Sequence, residues 1–218
     1  MGYTIEKIDS VNAIHIPTRI KISDLEKFGI SEEEHDDLMR FKKADAQIKI
    51  IIAIGDILKI ENLSLKKANS DADYNPVDKR WIDSYQEMWG FDEDIALGLK
   101  LFTGELNPES HPELMRKREL RDKRRLFLDD LKGRGGLSAD WMLVTRYNKQ
   151  DQTTTWIFKD INTATNFFGG GDVRISPKGS LYIGKITMQR KGGTPDPTKL
   201  QFKIKPCELF KLEDRDGN

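Results

Sequence analysis

The sequence predicts an α+β fold, helices in the first half and a mostly antiparallel or mixed sheet in the second. Two observations carry this expectation. Apolar residues recur at helical spacing before residue 132, and after Gly133-Arg134-Gly135-Gly136 the period drops to two. A third is size, since 218 residues of which 37% are apolar can bury one sizeable core.

The first thirty residues read as an extension, with Ile14 to Ile22 as a short edge strand because Pro17 has no N–H to give a ladder. Ser31 and Glu34 make a capping box that opens a long helix over 32–60. Leu38, Phe41, Ile48, Ile51, Ile52 and Leu58 share its stripe, and Gly55 marks a bend. Residues 66–80 are polar and turn-rich and read as a loop.

Trp81, Tyr85 and Met88 space a second helix over 78–89. Asp92 caps a third, with Ile95, Leu99 and Phe102 inward and Gly104 closing it. Residues 115–132 read as a basic helix. Five strand-like runs follow, over 140–147, 153–160, 171–176, 180–191 and 200–205. Between the second and third lies a short helix capped by Asp160 and ended by glycines. The expected organisation is an extension (1–30), one domain (31–211) and a flexible acidic tail (212–218). The domain is mainly helical through 132 and β-rich from 137. The four tryptophans read as core.

Composition removes several function classes. No apolar run approaches the ~18 residues of a membrane span, and the start "MGYTIEKIDS" is no secretory signal. The expected compartment is the cytoplasm. A single cysteine, Cys207, excludes a disulfide framework or a cysteine-built zinc site, and His15, His35 and His111 are too scattered for a histidine cluster. Net charge is zero, but the halves differ. Residues 1–111 carry 14 basic against 22 acidic side chains and residues 112–218 carry 22 against 14, which points the second half at a polyanion.

One stretch could carry chemistry on such a partner, "GDVRISPKGSLYIGKITMQRKGG" from Gly171 to Gly193. Cutting a phosphodiester with a hard cation needs oxygen ligands to hold the ion and a lysine to orient water and neutralise developing charge. Residues i and i+2 of a strand share a face, so Gln189 and Lys191 would point together. The turn at 176–179 is expected to bring Asp172 beside them. Gln47-x-Lys49, Asp130-x-Lys132 and Gln201-x-Lys203 are triplets of the same type.

This stretch, with 74–105, 131–144 and "LQFKIKPCELF" behind it, resembles certain type II restriction endonucleases of the superfamily with a Pro-Asp…(Asp/Glu)-x-Lys nuclease core. The likeness spans roughly residues 40–211. It implies a PD-(D/E)XK-like fold and a site-specific double-stranded DNA endonuclease that uses Mg²⁺ and leaves 5′-phosphates. The catalytic residues would be Asp172, Gln189 and Lys191, with Asp172 and Gln189 on the metal. Gly171 stands where proline is usual, and Gln189 stands where a carboxylate is usual. A carboxamide oxygen ligates Mg²⁺ without charge, so a further carboxylate is expected: Asp140, Asp129, Asp130, Asp45 or Asp56.

DNA contacts are expected from Lys132 and Arg134 in the glycine loop and from Arg190, Lys199, Gln201 and Lys203 near the proposed centre. The resemblance further implies a homodimer on a palindromic site, a partner methyltransferase and a prokaryotic host. The alternative is a non-catalytic DNA- or RNA-binding protein that grips phosphates with the same basic half.

Overall fold

A computed structural model of the chain describes residues 8–52, 57–90, 92–103, 105, 136–176, 180–190 and 199–212. The expected α+β class holds, but strands enter much earlier than the periodicity suggests. The elements run β1 (Ile8–His15), α1 (His35–Phe41), β2 (Ala46–Ile52), β3 (Ile57–Ala68), β4 (Asn75–Arg80), α2 (Ile82–Trp89) and α3 (Glu93–Thr103). They continue β5 (Trp141–Asn148), β6 (Thr153–Asp160), α4 (Ile161–Gly169), β7 (Val173–Ile175), β8 (Leu181–Ile183), β9 (Ile186–Arg190) and β10 (Leu200–Ile204). Short 3₁₀ turns occupy Ile22–Phe28 and Pro206–Leu212.

The largest correction falls on the expected helix over 32–60. Only half of its capping box forms: the Glu34 carboxylate accepts from the Ser31 N–H at 3.2 Å, but the Ser31 hydroxyl donates to the same carboxylate at 3.1 Å and the helix begins at His35. The helix behind it ends at Phe41, and the chain then turns into the antiparallel pair β2–β3. Ile48 and Ile50–Ile52 are β-branched, stiff at χ1 and better suited to a pleated surface than to a helix. The expected loop over 66–80 is likewise shorter. β3 runs on to Ala68, and a turn held by Asp73, which accepts from the Asn69 and Ser70 N–H groups, leads into β4. The expected strand over 14–22 gives way to β1 and the first 3₁₀ turn.

Elsewhere the patterns translate directly. Helices α2 and α3 and strands β5, β6 and β10 lie where their periods put them. The Asp160 side chain accepts from the Thr163 N–H at 3.0 Å and so caps α4. The run over 180–191 is two strands rather than one, joined at Gly184-Lys185. Gly184 has φ +57°, and a Cβ there would stand 2.6 Å from the Gly170 carbonyl oxygen. Only glycine fits that corner. The expected basic helix over 115–132 lies outside the described residues.

The chain divides into two compact units: residues 1–67 with 131–164, and residues 68–130 with 165–218. The first holds a sheet of order β1-β2-β3-β5-β6. Ile16, Ile20, Leu25, Phe28, Ala44 and Leu137 make one of its cores. The second holds an antiparallel sheet of order β4-β10-β9-β8-β7. Against it packs Tyr85 of α2, fully buried, stacked on Trp89 at 4.5 Å and edge-on to Phe202 of β10 at 5.2 Å.

Candidate functional site

The register of the first sheet joins a carboxylate to a lysine. Ala46 of β2 pairs with Leu63 of β3, which sets Asp45 opposite Ser64 and places Lys66 one same-face position beyond. Asp45 is pinned by its backbone: its N–H donates to Leu63 O at 2.7 Å and its carbonyl accepts from Ile16 N–H at 3.0 Å. Its Oδ2 accepts from the Leu65 N–H at 2.7 Å and lies 3.9 Å from Lys66 Nζ. Oδ1 takes no hydrogen bond among the described residues and is available to a ligand. Preceding it, the Lys43 and Ala44 N–H groups both donate to Leu137 O, which fixes the approach to Asp45.

Burial and charge tune this cluster. Ser64 is 1% exposed and the Lys66 side chain 17%, whereas that of Asp45 is 48% exposed. Burial holds the Lys66 ammonium below the usual lysine range; Asp45 acts against this and Lys43 acts with it. Burial also lowers Lys42, again opposed by Asp45. The free oxygen of Asp45 and the Ser64 hydroxyl are hard donors of the kind a divalent cation takes. Further along the same face, Gln47 is fully buried and its Oε1 has no hydrogen-bond partner. The cluster matches an acid…(ligand)-x-Lys arrangement, with Ala44-Asp45 on one strand entry and Ser64-x-Lys66 on the next strand. Among the described residues no three His, Cys, Asp or Glu side chains gather, and Asp45 is the carboxylate whose charge acts on Lys66 and Lys42.

The residues singled out in the sequence are placed differently. Asp172 and Gln189 belong to the second unit, and β8 lies between their strands. Val173 pairs with Ile183 and Ile183 with Ile186, so Asp172 stands four residues short of the level of Gln189. Two strand spacings and four residue rises separate their backbones by on the order of 15 Å. The two side chains cannot hold one ion. β7 and β8 do pair antiparallel, which sets Asp172 beside β8, not β9.

Lys191, Lys132 and Arg134 lie outside the described residues, as do Asp56, Asp129, Asp130 and the Arg190 side chain. Gln201 is buried at 8% exposure, opposite Gln189, and is not on the open surface where a base could be read. Lys199 and Lys203 are half-buried, and Lys199 Nζ lies 4.9 Å from the Trp81 ring centroid. Trp81 and Trp156, expected in the core, are 41% and 63% exposed. Of the candidate further carboxylates, Asp140 is engaged in fastening β5 to β3, accepting from Asn62 N–H at 2.8 Å. Asp45 alone meets a lysine across a strand pair. A pattern of an acid or amide before x-Lys passes over Ser64 and Lys66, and the apolar spacing over 32–60 also satisfies a helix. The signal was present as two alternating runs, "KADAQIKI" and "KIENLSLKK", which together make a hairpin.

The site is thus a carboxylate and a mostly buried lysine brought together by two strands of a mixed α+β frame. The chain matches the family model of the R.HinP1I restriction endonuclease over residues 30–123 and 119–210, and it belongs to that family. It is also similar in structure to the restriction endonuclease MspI, solved in complex with its cognate DNA. That match has a TM-score of 0.60 at 12% identity and covers 92% of this chain and 72% of the other, so it establishes a shared PD-(D/E)XK fold. No curated protein sequence matches at a significant level. The chain is therefore a sequence-specific DNA endonuclease. Enzymes of this kind generally use divalent metal ions.

Proposed function

We propose that this endonuclease hydrolyses double-stranded DNA with Mg²⁺ at a centre built from Asp45, Ser64 and Lys66. The single observation that supports it is the 3.9 Å approach of Lys66 Nζ to Asp45 Oδ2 across β2 and β3, beside an Asp45 oxygen left free. Asp45 Oδ1 and the Ser64 hydroxyl would hold the ion. Bound there, it would polarise the scissile phosphate and make water a better nucleophile. The Lys66 ammonium would hydrogen-bond the attacking water and offset charge developing on the phosphate oxygens. In-line attack forms the new P–O bond as the 3′-oxygen leaves, giving a 5′-phosphate and a 3′-hydroxyl.

Lys199 and Lys203, and Lys132, Arg134 and Arg190 with them, are proposed contacts to the DNA backbone. A homodimer on a palindromic site, a companion methyltransferase and a prokaryotic cytoplasm complete the reading. Incubating a long duplex with the protein in Mg²⁺ and in EDTA tests it. Discrete fragments ending in 5′-phosphates, formed only with Mg²⁺, are expected. Uncut DNA across divalent ions would support a non-catalytic binder instead.

A further inference from the structure

Strand β6 ends the first sheet, in the order β1-β2-β3-β5-β6, and among the described residues no strand pairs with its outer edge. Such an edge presents N–H and C=O groups that another strand can take, and it is usually guarded by a proline, a bulge or a charge in mid-strand. β6 has none of these. Its register on β5 is unbroken from Thr153 to Asp160, and its two charged residues, Lys159 and Asp160, both stand at one end. The sheet's other edge, β1, is interrupted near Ile8 by a register shift. The two faces of the β5–β6 pair also differ. Met142, Val144 and Ile157 are fully buried on one, whereas Tyr147, Trp156 and Phe158 share the other and are exposed, Trp156 by 63%. Phe158 stacks on Trp141 at 4.7 Å, and the Trp141 Nε1–H donates to Glu61 at 2.8 Å, so this aromatic surface is set in place before anything covers it.

We propose that β6 pairs antiparallel with β6 of a second copy of this chain, joining the first sheets of the two copies about a two-fold axis. This rests on the homodimer reading and names its surface; it does not depend on which residues cut. Closure favours a second copy, because two identical edges consume each other, whereas β6 laid on β1 would grow an open chain. Charge favours the antiparallel sense. It sets the Lys159-Asp160 end of one copy against the Thr153–Thr155 end of the other, while a parallel join would put Lys159 beside Lys159. The two-fold also carries the aromatic face across the join without a break. The three rings expose roughly 300 Å² per copy, beside an edge about 26 Å long. That is toward the small end of specific interfaces and suits a dimer that dissociates on dilution.

Sedimentation velocity of the full chain over a concentration series, with amide hydrogen exchange at both ends of the series, tests this. A dimer is expected at high concentration, with exchange over Thr153–Asp160 at least about tenfold slower than in the monomer. Trp156→Glu, shown folded by its melting curve, should raise the dissociation constant at least about tenfold. Thr154→Lys places a guarding charge at another exposed position; it should do the same and keeps the test open if Trp156→Glu does not fold. A dimer that leaves β6 exchange unchanged, or that both variants form as readily, would overturn this interface and leave the homodimer standing. A monomer at every concentration, with and without a duplex carrying the cut site, would overturn both. Species larger than a dimer would mean open growth from an edge and would overturn the closed pairing.

Discussion

Lys66 Nζ lies 3.9 Å from Asp45 Oδ2 because β2 and β3 pair in a register that sets Ala46 against Leu63. The contact joins a half-exposed carboxylate to a lysine that is mostly buried, an arrangement that stability alone does not favour. Its consequences can be separated by measurement.

Lys66→Met should lower cleavage by about 10²–10³-fold, the loss expected when one charge-stabilising donor is removed. It should also raise stability, since burial depresses the Lys66 pKa below 10.5. The folded chain therefore releases this proton before the unfolded chain does. Between the lowered value and 10.5 the unfolded state binds more protons, so wild-type stability rises with pH through that window. Denaturant titrations across it should show less of this rise in Lys66→Met.

Asp160→Ala should destabilise the protein by about 1 kcal/mol through loss of the α4 cap. Hydrogen bonds from Thr163 hold the Asp160 carboxyl below its usual range of 3.8. Its contribution is thus present above pH 3.8 and lost as pH falls through the lowered value. Thermal melts at neutral and acid pH should show the wild-type advantage shrinking at the acid end.

Gly184→Ala should cost at least about 1 kcal/mol, since an L side chain at φ +57° is strained. The added Cβ would also meet Gly170 O at 2.6 Å, which is backbone and yields little. Urea midpoints report the loss. Cleavage per folded molecule should hold, since the turn is remote in sequence from Asp45.

Lys199→Ala should weaken DNA binding similarly across sequences and reduce the slope of log affinity against log salt by about one, the signature of one phosphate contact. Fluorescence anisotropy over a salt series reads both. An unchanged slope would mean that Lys199 serves only Trp81, 4.9 Å from its ammonium.

Much of the fold was legible where one period dominates. β6, over Thr153–Asp160, coincides with its alternating run, and Asp160 caps the following helix as its spacing indicates. The stretch from Ala46 to Leu58 was not legible, because a nearly continuous apolar run satisfies periods of two and 3.6 alike. That ambiguity concealed the proposed centre. On a helix Asp45 would neighbour Lys42 and Lys49 at i−3 and i+4, an ordinary surface pairing, whereas on the hairpin it meets the mostly buried Lys66. Asp172 and Gln189 failed as a pair for a different reason. Spacing along the chain cannot tell a direct neighbour from a strand two places away, and Gly184 supplied the extra turn that put β8 between them.

The central claim is that catalysis resides with Asp45. Its most direct measurement is cleavage of one long duplex by Asp45→Asn and Asp172→Asn, side by side with wild type and each shown folded by its melting curve. The expected result is loss of fragments in Asp45→Asn and wild-type fragments in Asp172→Asn. Fragments from Asp45→Asn, together with their loss in Asp172→Asn, would contradict the assignment and return the centre to the second unit.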